Sequence, residues 1–497
     1  MAKTILPSNP FAPRKYGEIQ KVTEAVYIFR NITNSSFVIG DRSVAVIDTQ
    51  VNQSAAQYLL NFVRSVTSKP IEFVINTHYH WDHTNGNQIF KDLGATVISS
   101  KKTKEFMVVR APRQKEFLSG RGFELGDDPF LPEITFEDSH EIDLGGMPLR
   151  IFFAGTAETE DASAVHVVRE NVLMSGDTIM TGSFPIFGQP CWDEGLEGDG
   201  RWQKTIASLL ALKPKHIIPG HGPLAHEADV QKLLEIENYF VKEVGTRVQK
   251  GWKLEQILSD LEPKLPDWMK KLPVVWGTPR YAILRVWRGL TKKSQDTQPG
   301  WQQFKPSAVP SAAVNIPGKE SPADFFKMAE EAEEGGDVPF RIQVLKKGSE
   351  LFGKCADLLA AYAEALIDAS RAEASVLEKG DFFTPARKAW EKALEIDPEH
   401  VPSLLGKGRY FTMMAYRGGD DPAAGMKLLE KARSLAEDTR SKAEAEFYLG
   451  MGFRRLGREI EAKLEFQKAL SFDPSFMPAR LADQAYPTSP LGRGSSG

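Results

Sequence analysis

The run VINTHYHWDHTNGN, residues 74–87, places three histidines and one aspartate within six positions, directly after a short apolar segment. The histidines are His78, His80 and His83, and the carboxylate belongs to Asp82. Imidazole nitrogen and carboxylate oxygen together suit a borderline metal ion such as zinc. In an extended segment, His78 and His80 point the same way, whereas Asp82 and His83 are displaced to a second position. The run therefore predicts two adjacent metal ions at the end of a strand.

Composition limits what the rest of the chain can be. The 497 residues include 62 basic and 66 acidic side chains, and the net charge of −4 argues against a general nucleic-acid binder. Eight of the nine histidines lie in the first 226 residues, so imidazole chemistry is expected in the front half. No stretch approaches about 18 apolar residues, which predicts no membrane span. Two cysteines, Cys191 and Cys355, are too few for a disulfide framework or a cysteine-based zinc cluster.

The two ends of the chain lack periodic patterns. The first residues contain no apolar stretch typical of a secretion signal, so we expect a cytoplasmic location. A removed leader would leave a periplasmic location open. Residues 483–497 are rich in glycine, serine and proline, and we expect them to be a disordered tail or a remnant of cloning.

Residues 1–225 are predicted to form an α/β layered domain. Strand-length runs rich in Val, Ile and Phe recur, among them SVAVIDT at 43–49, LRIFFAG at 149–155 and NVLMSG at 171–176. Between them lie segments such as SAAQYLLNFVRSV at 54–66, whose apolar residues recur with helical spacing. Strands that alternate with helices are typical of α/β domains.

The remainder of the chain is predicted to be helical. Residues 226–290 carry helical patterns and are expected to extend the first domain. Residues 291–321 contain several prolines among serine, glutamine and lysine, which predicts a linker or a wrapping arm. Residues 322–482 are almost wholly helical in pattern and are predicted to form a separate all-α domain.

A repeat marks the end of this helical region. Its spacing fits a helix–turn–helix unit of about 34 residues and is similar to the tetratricopeptide repeat (TPR). The matching positions are Leu449, Gly450, Phe453, Gly457, Ala462, Phe466, Ala469 and Pro474. An earlier copy shows the same register at Ala386, Trp390, Ala393 and Pro398, and a degenerate copy contains Leu429 and Ala432. A generic helical bundle is the alternative, and it predicts nearly the same packing.

Further motifs in the front region resemble those of the metallo-β-lactamase superfamily, in the same order and over roughly residues 20–225. The segment VAVIDT places Asp48 at the strand-end aspartate of the family. MSGDTI places Asp177 at the bridging carboxylate, and IIPGHGPL places His221 at the final metal ligand. The resemblance implies an αββα sandwich with the metals at one edge of its two sheets.

The resemblance also divides the ligands between two ions. It implies that one ion is held by His78 and His80, the other by Asp82, His83 and His221, with Asp177 as the bridge. Asp48 is expected to orient the ligand loop through hydrogen bonds rather than to bind metal.

One ligand position departs from the superfamily pattern. Most members have a histidine nineteen residues before the bridging aspartate, and the same count here reaches Glu158 in AGTAETED. Glu160 is the main competitor for this role, because it lies in the same acidic loop. A carboxylate makes the site harder, so manganese and iron join zinc as candidate metals.

A glutamate at this position resembles the alkylsulfatase branch of the superfamily. In that branch the catalytic domain is followed by a helical dimerisation domain, and the order of regions here is similar. The resemblance therefore implies a homodimer formed through the helical domain. The bridging ligand differs, because that branch uses glutamate where this chain has Asp177.

The implied function is hydrolysis of a small ester by two divalent ions, zinc foremost, with a metal-bridging hydroxide as the nucleophile. Sulfate or phosphate esters are the expected substrates, and Asp82 and Asp177 are the candidate catalytic residues. Lactonase activity, or hydrolysis of another carboxylic ester or a β-lactam, is the alternative within this class. The alternative of another class is a TPR scaffold protein with a non-catalytic metal-binding domain.

Loop residues are expected to select the substrate. Arg110 and Arg113 stand among apolar residues in a segment suited to an anionic head group and an apolar tail, although an exposed charged helix explains them equally well. Phe184, Phe187 and Trp192 follow Asp177 in the chain and either line a pocket or fill the core.

Overall fold

The computed structural model describes residues 18–31, 33–119, 128–188, 200–275, 277–291, 321–370, 376–414, 422–456 and 458–484. Cys191, Trp192, Gly457 and most of the predicted linker and tail lie outside these ranges. The described residues fall into two compact units. The first unit takes those from 17–307 and 371–381, and the second takes those from 308–370 and 382–497.

The described part of the first unit contains two β-sheets. The larger sheet has its strands in chain order: β1 Glu18–Lys21, β2 Val26–Arg30, β3 Asn34–Ile39, β4 Val44–Ile47, β5 Ile71–Ile75, β6 Thr96–Ser100 and β7 Ile134–Phe136. The smaller sheet has the order β12-β11-β10-β9-β8, with β8 Ser139–Asp143, β9 Pro148–Gly155, β10 Ala162–Val167, β11 Val172–Met174 and β12 His216–Ile218. Strands β4 to β7 run parallel to one another, as do β11 and β12.

Helices occupy the connections of the first unit. They are α1 Gln53–Val66, α2 Trp81–Thr84, α3 Asn87–Lys91, α4 Lys101–Val109, α5 Ala111–Ser119, α6 Arg201–Leu210, α7 Glu227–Gln249, α8 Leu254–Leu261, α9 Asp267–Lys270 and α10 Pro279–Thr291. Short 3-10 turns lie at Gly176–Thr178 and Glu262–Lys264.

The alternation of side chains along each strand explains the layers. In β4, Ala45 and Ile47 face a core shared with the second sheet, whereas Val44 and Val46 pack against α1 on the outer side. Both faces of this strand are therefore buried, which accounts for its unbroken apolar sequence.

The helices after residue 226 cover the outer face of the second sheet. Phe240 of α7 and Leu284 of α10 share a core with Trp202 of α6 and with Leu173 of β11. The order of layers is helix, sheet, sheet, helix, and the predicted αββα sandwich is confirmed. The predicted helical extension packs onto this sandwich.

The described part of the second unit is helical throughout, as predicted. Its helices are α11 Pro322–Glu334, α12 Val338–Leu351, α13 Ala356–Ser370, α14 Val376–Ile396, α15 Val401–Met414, α16 Pro422–Leu435, α17 Thr439–Arg455, α18 Glu459–Phe472 and α19 Met477–Gln484.

Small residues let neighbouring helices of this unit approach closely. A Cβ at Gly450 of α17 would lie 2.5 Å from the Phe466 ring of α18, and one at Gly406 of α15 would lie 2.4 Å from the Trp390 indole of α14. Glycine is therefore required at both positions by packing. The assignment of these hairpins to the tetratricopeptide repeat stays a prediction. Every described helix is too short or too polar to cross a bilayer.

Candidate metal centre

Strand ends bring the predicted ligands to one edge of the sandwich. Residues 78–83 follow β5, Asp177 follows β11, and His221 follows β12. Parallel strands end at the same edge of a sheet, so these loops lie side by side. Glu158 lies in the connection between β9 and β10 and completes the set. None of the seven predicted ligand residues is more than 7% exposed.

The seven side chains form two groups, and within each group the candidate ligand atoms lie within 4.8 Å of one another. The first group consists of His78, His80, Glu158 and Asp177, and the second of Asp82, His83 and His221. In the first group, Nδ1 of His80 lies 3.3 Å from Oε2 of Glu158. In the second, Nε2 of His221 lies 3.3 Å from Oδ2 of Asp82.

Asp177 belongs to the first group and also contacts both histidines of the second. Its Oδ1 lies 3.3 Å from Nε2 of His83, and its Oδ2 lies 3.2 Å from Nε2 of His221. The loop that carries His221 passes very close to this carboxylate, since a Cβ at Gly220 would lie 1.9 Å from Oδ1 of Asp177. No larger residue fits at Gly220, the first glycine of the PGHG motif, because the Asp177 side chain approaches it so closely.

Asp48 supports the second group without joining it. Its Oδ2 lies 2.7 Å from Nδ1 of His83 and accepts a hydrogen bond from the Thr77 hydroxyl at 2.8 Å. Its Oδ1 accepts the Thr77 backbone N–H at 2.8 Å. A proton on Nδ1 of His83 leaves Nε2 with the lone pair, which is the arrangement that metal-binding histidines favour. Asp48 adopts a φ of 58°, a left-handed conformation uncommon for a residue with a side chain.

The structure separates the two glutamates that competed in the sequence. Glu158 points into the first ligand group, whereas Glu160 pairs with Arg110, whose Nη1 lies 2.8 Å from Oε2 of Glu160. The Arg110 guanidinium also stacks on Phe106, with its central carbon 3.6 Å from the ring centroid. Arg110 therefore joins the ligand loop to α4.

The other predicted substrate residues occupy different places. Arg113 is half-buried on α5. Phe184 and Phe187 are each 1% exposed and pack against Phe240, at centroid distances of 5.8 Å, so the structure shows the core role that the sequence left open. Trp192 lies outside the described residues.

Burial and charge act in opposite directions on the ligands. Burial lowers the pKa of His78 and His80, which keeps both imidazoles neutral at pH 7 with a lone pair to donate. Burial also acts to lower the pKa of His221, but Asp177 and Asp82 outweigh it and raise that pKa to about 10. His78 and His80 are therefore neutral, whereas the neighbouring carboxylates favour the protonated form of His221.

The carboxylates respond differently to the same surroundings. Burial, reinforced by the charges of Asp177 and Asp82, raises the pKa of Glu158 well above its usual value. Burial opposes ionisation of Asp177 as well, but His221 and His83 hold the pKa of Asp177 well below its usual range. A cation beside Glu158 would favour its charged form.

Unsatisfied buried atoms show that these residues fit a divalent cation. Within the described part of the chain, Nε2 of His78 and both carboxylate oxygens of Glu158 are buried without a hydrogen-bond partner. Such atoms are costly to bury unless they are hydrogen-bonded or coordinate a metal. Neutral imidazoles with carboxylates are the donors that zinc, manganese and iron accept.

Several residues around the site were missed by the sequence analysis. Thr33 donates a hydrogen bond to Asp82, and Asn34 donates to backbone carbonyls of the loop that carries His221. Arg285 of α10 is 1% exposed, and its charge partly offsets the rise in the pKa of Glu158 that burial and the neighbouring carboxylates cause. The available signal for Arg285 was a basic residue within the apolar helix PRYAILRVWRGL.

Comparisons with known proteins agree with this geometry. Residues 28–221 match the family model of the metallo-beta-lactamase superfamily. A metallo-beta-lactamase type 2 of Bacteroides fragilis is 24% identical over 212 residues, which cover 42% of this chain and 77% of that protein. A linear primary-alkylsulfatase of Pseudomonas sp. (strain ATCC 19151) is 20% identical over 302 residues, which cover 52% of this chain and 54% of that protein.

A solved structure shares the fold beyond the matched residues. A double mutant of the sec-alkyl sulfatase PisA1 superposes with a TM-score of 0.53 at 16% identity, covering 84% of this chain and 70% of that one. The linear primary-alkylsulfatase supports the predicted resemblance to the alkylsulfatase branch, and the superposition shows a shared fold. Residues 28–221 therefore form a domain of the metallo-beta-lactamase superfamily.

Proposed function

We propose that this protein is a metal-dependent hydrolase of sulfate esters that uses two divalent ions, zinc foremost. The observation that carries the proposal is the convergence of seven buried donor side chains in two groups that meet at Asp177. The choice of sulfate is supported by the two alkylsulfatases among the similar proteins and by a glutamate, Glu158, at the ligand position where most of the superfamily has histidine.

The ligand roles follow from the two groups. In this proposal His78, His80 and Glu158 hold one ion, Asp82, His83 and His221 hold the other, and Asp177 lies between them. When bound, two such ions act as Lewis acids and lower the pKa of water, which supplies a nucleophile at neutral pH. Asp82 and Asp177 serve catalysis through the cations that they hold.

The chain's own residues prepare the site in three ways. Neutral His78 and His80 present lone pairs without first losing a proton. Asp48 fixes the ring of His83 through the 2.7 Å contact at Nδ1. Burial of all seven side chains excludes bulk water, which strengthens every electrostatic interaction with the anionic ester.

The helical unit is proposed to pair two copies of the chain. On α18, Ile460 is 79% exposed and Leu464, one turn further on, is 51% exposed. An apolar pair on one helix face is suited to burial against an identical surface. Light scattering is expected to give a dimer for the natural chain and a monomer for Ile460→Glu. A monomer at every concentration of the natural chain would contradict this.

The function is tested by metal analysis followed by a substrate panel. The panel contains alkyl and aryl sulfates, phosphate mono- and diesters, a lactone and a β-lactam. We expect turnover of a sulfate ester that is lost with chelation and restored by the added metal. Preferential turnover of another ester class or of the β-lactam would contradict the proposal that sulfate esters are the substrates. No turnover of any member by the fully metallated protein would favour the scaffold alternative.

A matched pair of variants tests the Glu158 assignment. Glu158→Gln removes a buried carboxylate from the first ligand group, whereas Glu160→Gln changes a neighbour that pairs with Arg110. We expect Glu158→Gln to lose metal and turnover, and Glu160→Gln to keep its metal content. Full metal content and activity in Glu158→Gln would contradict the assignment.

A further inference from the structure

Thr33, immediately before β3, hydrogen-bonds to the second ligand group, and Asn34, the first residue of β3, hydrogen-bonds to the loop that carries His221. The Thr33 hydroxyl donates a hydrogen bond to Oδ2 of Asp82 at 2.8 Å. The Asn34 side-chain amide donates to the carbonyls of Pro219 and Gly222, each at 2.8 Å. These two carbonyls flank His221. Thr33 therefore binds the ligand Asp82 directly, and Asn34 binds the loop that carries the ligand His221.

A backbone hydrogen bond adds to these contacts with the His221 loop. The Asn34 N–H donates to the carbonyl of Gly220 at 2.8 Å, immediately before His221. Three hydrogen bonds from one residue therefore hold the segment 219–222 against the start of β3. Both Thr33 and Asn34 are buried, at 0% and 5% exposure, so water does not compete for these bonds.

The buried Gln50 side chain holds Thr33 and Ser35 in place. Its side-chain amide donates to the Thr33 carbonyl and to the Ser35 hydroxyl, both at 2.7 Å. Gln50 is fully buried and has a φ of 77°, a left-handed conformation that costs free energy for a residue with a side chain. Such a conformation persists only where the surroundings fix it, so Gln50 provides a rigid anchor for Thr33.

The first ligand group has no equivalent support at Glu158. Both of its carboxylate oxygens lack a hydrogen-bond partner among the described residues. The second group, in contrast, has a polar partner at each ligand: Thr33 at Asp82, Asp48 at His83, and Asn34 around His221.

We infer that Thr33 and Asn34 are positioning residues that set the affinity of the second ligand group for its ion without touching that ion. The inference rests on the proposed metal centre. The hydrogen bond from Thr33 to one oxygen of Asp82 fixes the rotation of the carboxylate. The hydrogen bonds from Asn34 to the carbonyls that flank His221 fix the position of its backbone and therefore of its ring. Loss of such support lowers metal affinity by about tenfold to a hundredfold in proteins of known structure.

The experiment compares isosteric variants by metal titration. Thr33→Val removes the hydroxyl and keeps the shape of the side chain, whereas Thr33→Ser keeps the hydroxyl. Asn34→Leu removes the side-chain amide. Thr412→Val is the matched control, because Thr412 is also fully buried but its hydroxyl has no hydrogen-bond partner among the described residues. Each protein is stripped of metal and titrated with zinc against a chromophoric chelator, and the cobalt form is followed by its visible absorption.

We expect Thr33→Val and Asn34→Leu to weaken one of the two zinc equivalents, the one held by the second ligand group, by about tenfold to a hundredfold and to leave the other unchanged. The cobalt spectrum of the weakened equivalent should shift in Thr33→Val and match that of the natural chain in Thr33→Ser and in Thr412→Val. Unchanged affinity in both variants, or equal weakening of both equivalents, would overturn the inference. If the natural chain bound no zinc, the proposed metal centre would fail instead, so the two failures are distinguishable.

Discussion

The two units of the molecule bury charge in opposite ways. In the first unit, carboxylates and imidazoles from four separate loops converge on one point, and several of their atoms lack hydrogen bonds within the described residues. In the second unit, the partly buried Arg409 is instead matched by opposite charges. Arg409 lies between Glu364, at 2.6 Å, and Glu444, at 3.0 Å.

This difference separates a site built to bind from a network built to hold helices together. Convergent carboxylates repel one another, so the first arrangement costs stability until a cation enters. The matched arrangement joins α13, α15 and α17 through opposite charges and needs nothing from outside. The predictions below test this contrast, beginning with the largest effect.

Removal of divalent metal should affect the first unit alone. A chelator is expected to abolish turnover and to lower stability by about 4 kcal/mol where the ion had been present at a thousand times its dissociation constant. Hydrogen exchange followed by mass spectrometry should show faster exchange around residues 76–87 and 175–178, with no change in α15, α17 and α18. Equal loss of protection in both units would contradict the contrast.

Removal of the central cation should affect the second unit alone. Arg409→Met leaves Glu364 and Glu444 without their partner and is expected to cost about 2–3 kcal/mol, less than a fully buried pair because both glutamates are partly exposed. Arg440→Met is the matched control, since Arg440 is 61% exposed beside Asp473 and should cost about 0–1 kcal/mol. Denaturant unfolding measures both values, and metal content should stay unchanged. Similar costs for the two variants would argue against a matched network.

A pair of carboxyl groups should make the second unit less stable at neutral pH than at mildly acidic pH. Burial, with the nearby Glu465, raises the pKa of Glu446 to about 7. A raised acidic pKa means that the folded state holds a proton that the unfolded chain has released, so stability falls as pH rises from about 4.5 to 7. The loss should be about 1 kcal/mol after allowance for solvent screening and for the opposite shift of the Glu465 pKa.

Glu446→Gln removes the titrating group and should flatten this slope in pH-dependent unfolding curves. Glu437→Gln, at an exposed position of the same unit, is the control and should keep the slope. An unchanged slope in Glu446→Gln would assign the pH dependence to other groups.

The smallest effect is expected at the matched ion pair of the first unit. Arg110→Met breaks the pair with Glu160 and the stacking on Phe106, and should lower stability by about 1 kcal/mol because the pair is partly buried. Since Arg110 is engaged by the ligand loop, the KM for a sulfate ester should change by less than about threefold. Steady-state kinetics tests this, and a large rise in KM with unchanged kcat would restore Arg110 as a substrate-binding residue.

The sequence was most informative where the chemistry is local. His78, His80, Asp82 and His83 stand within six residues, so the spacing alone indicated a metal site. Glu158 could be found by counting from Asp177, although only the structure shows Glu160 turned toward Arg110.

Contacts between distant segments were out of reach. Thr33 meets Asp82 across 49 residues, and Asn34 meets Pro219 across 185, and no local pattern marks either polar residue. Phe184 and Phe187 show a second limit, because an apolar side chain after a ligand is compatible with a pocket wall or with the core. Their burial against α7 was decided by the helical extension, whose docking the sequence does not encode in any short motif.

Metal stoichiometry tests the central claim most directly. The natural chain, loaded with zinc and freed of excess metal, should contain two equivalents by mass spectrometry of the eluted protein. Asp177→Asn should lose both, because Asp177 belongs to the first ligand group and contacts the second. One equivalent or none in the natural chain, or two in Asp177→Asn, would contradict the account.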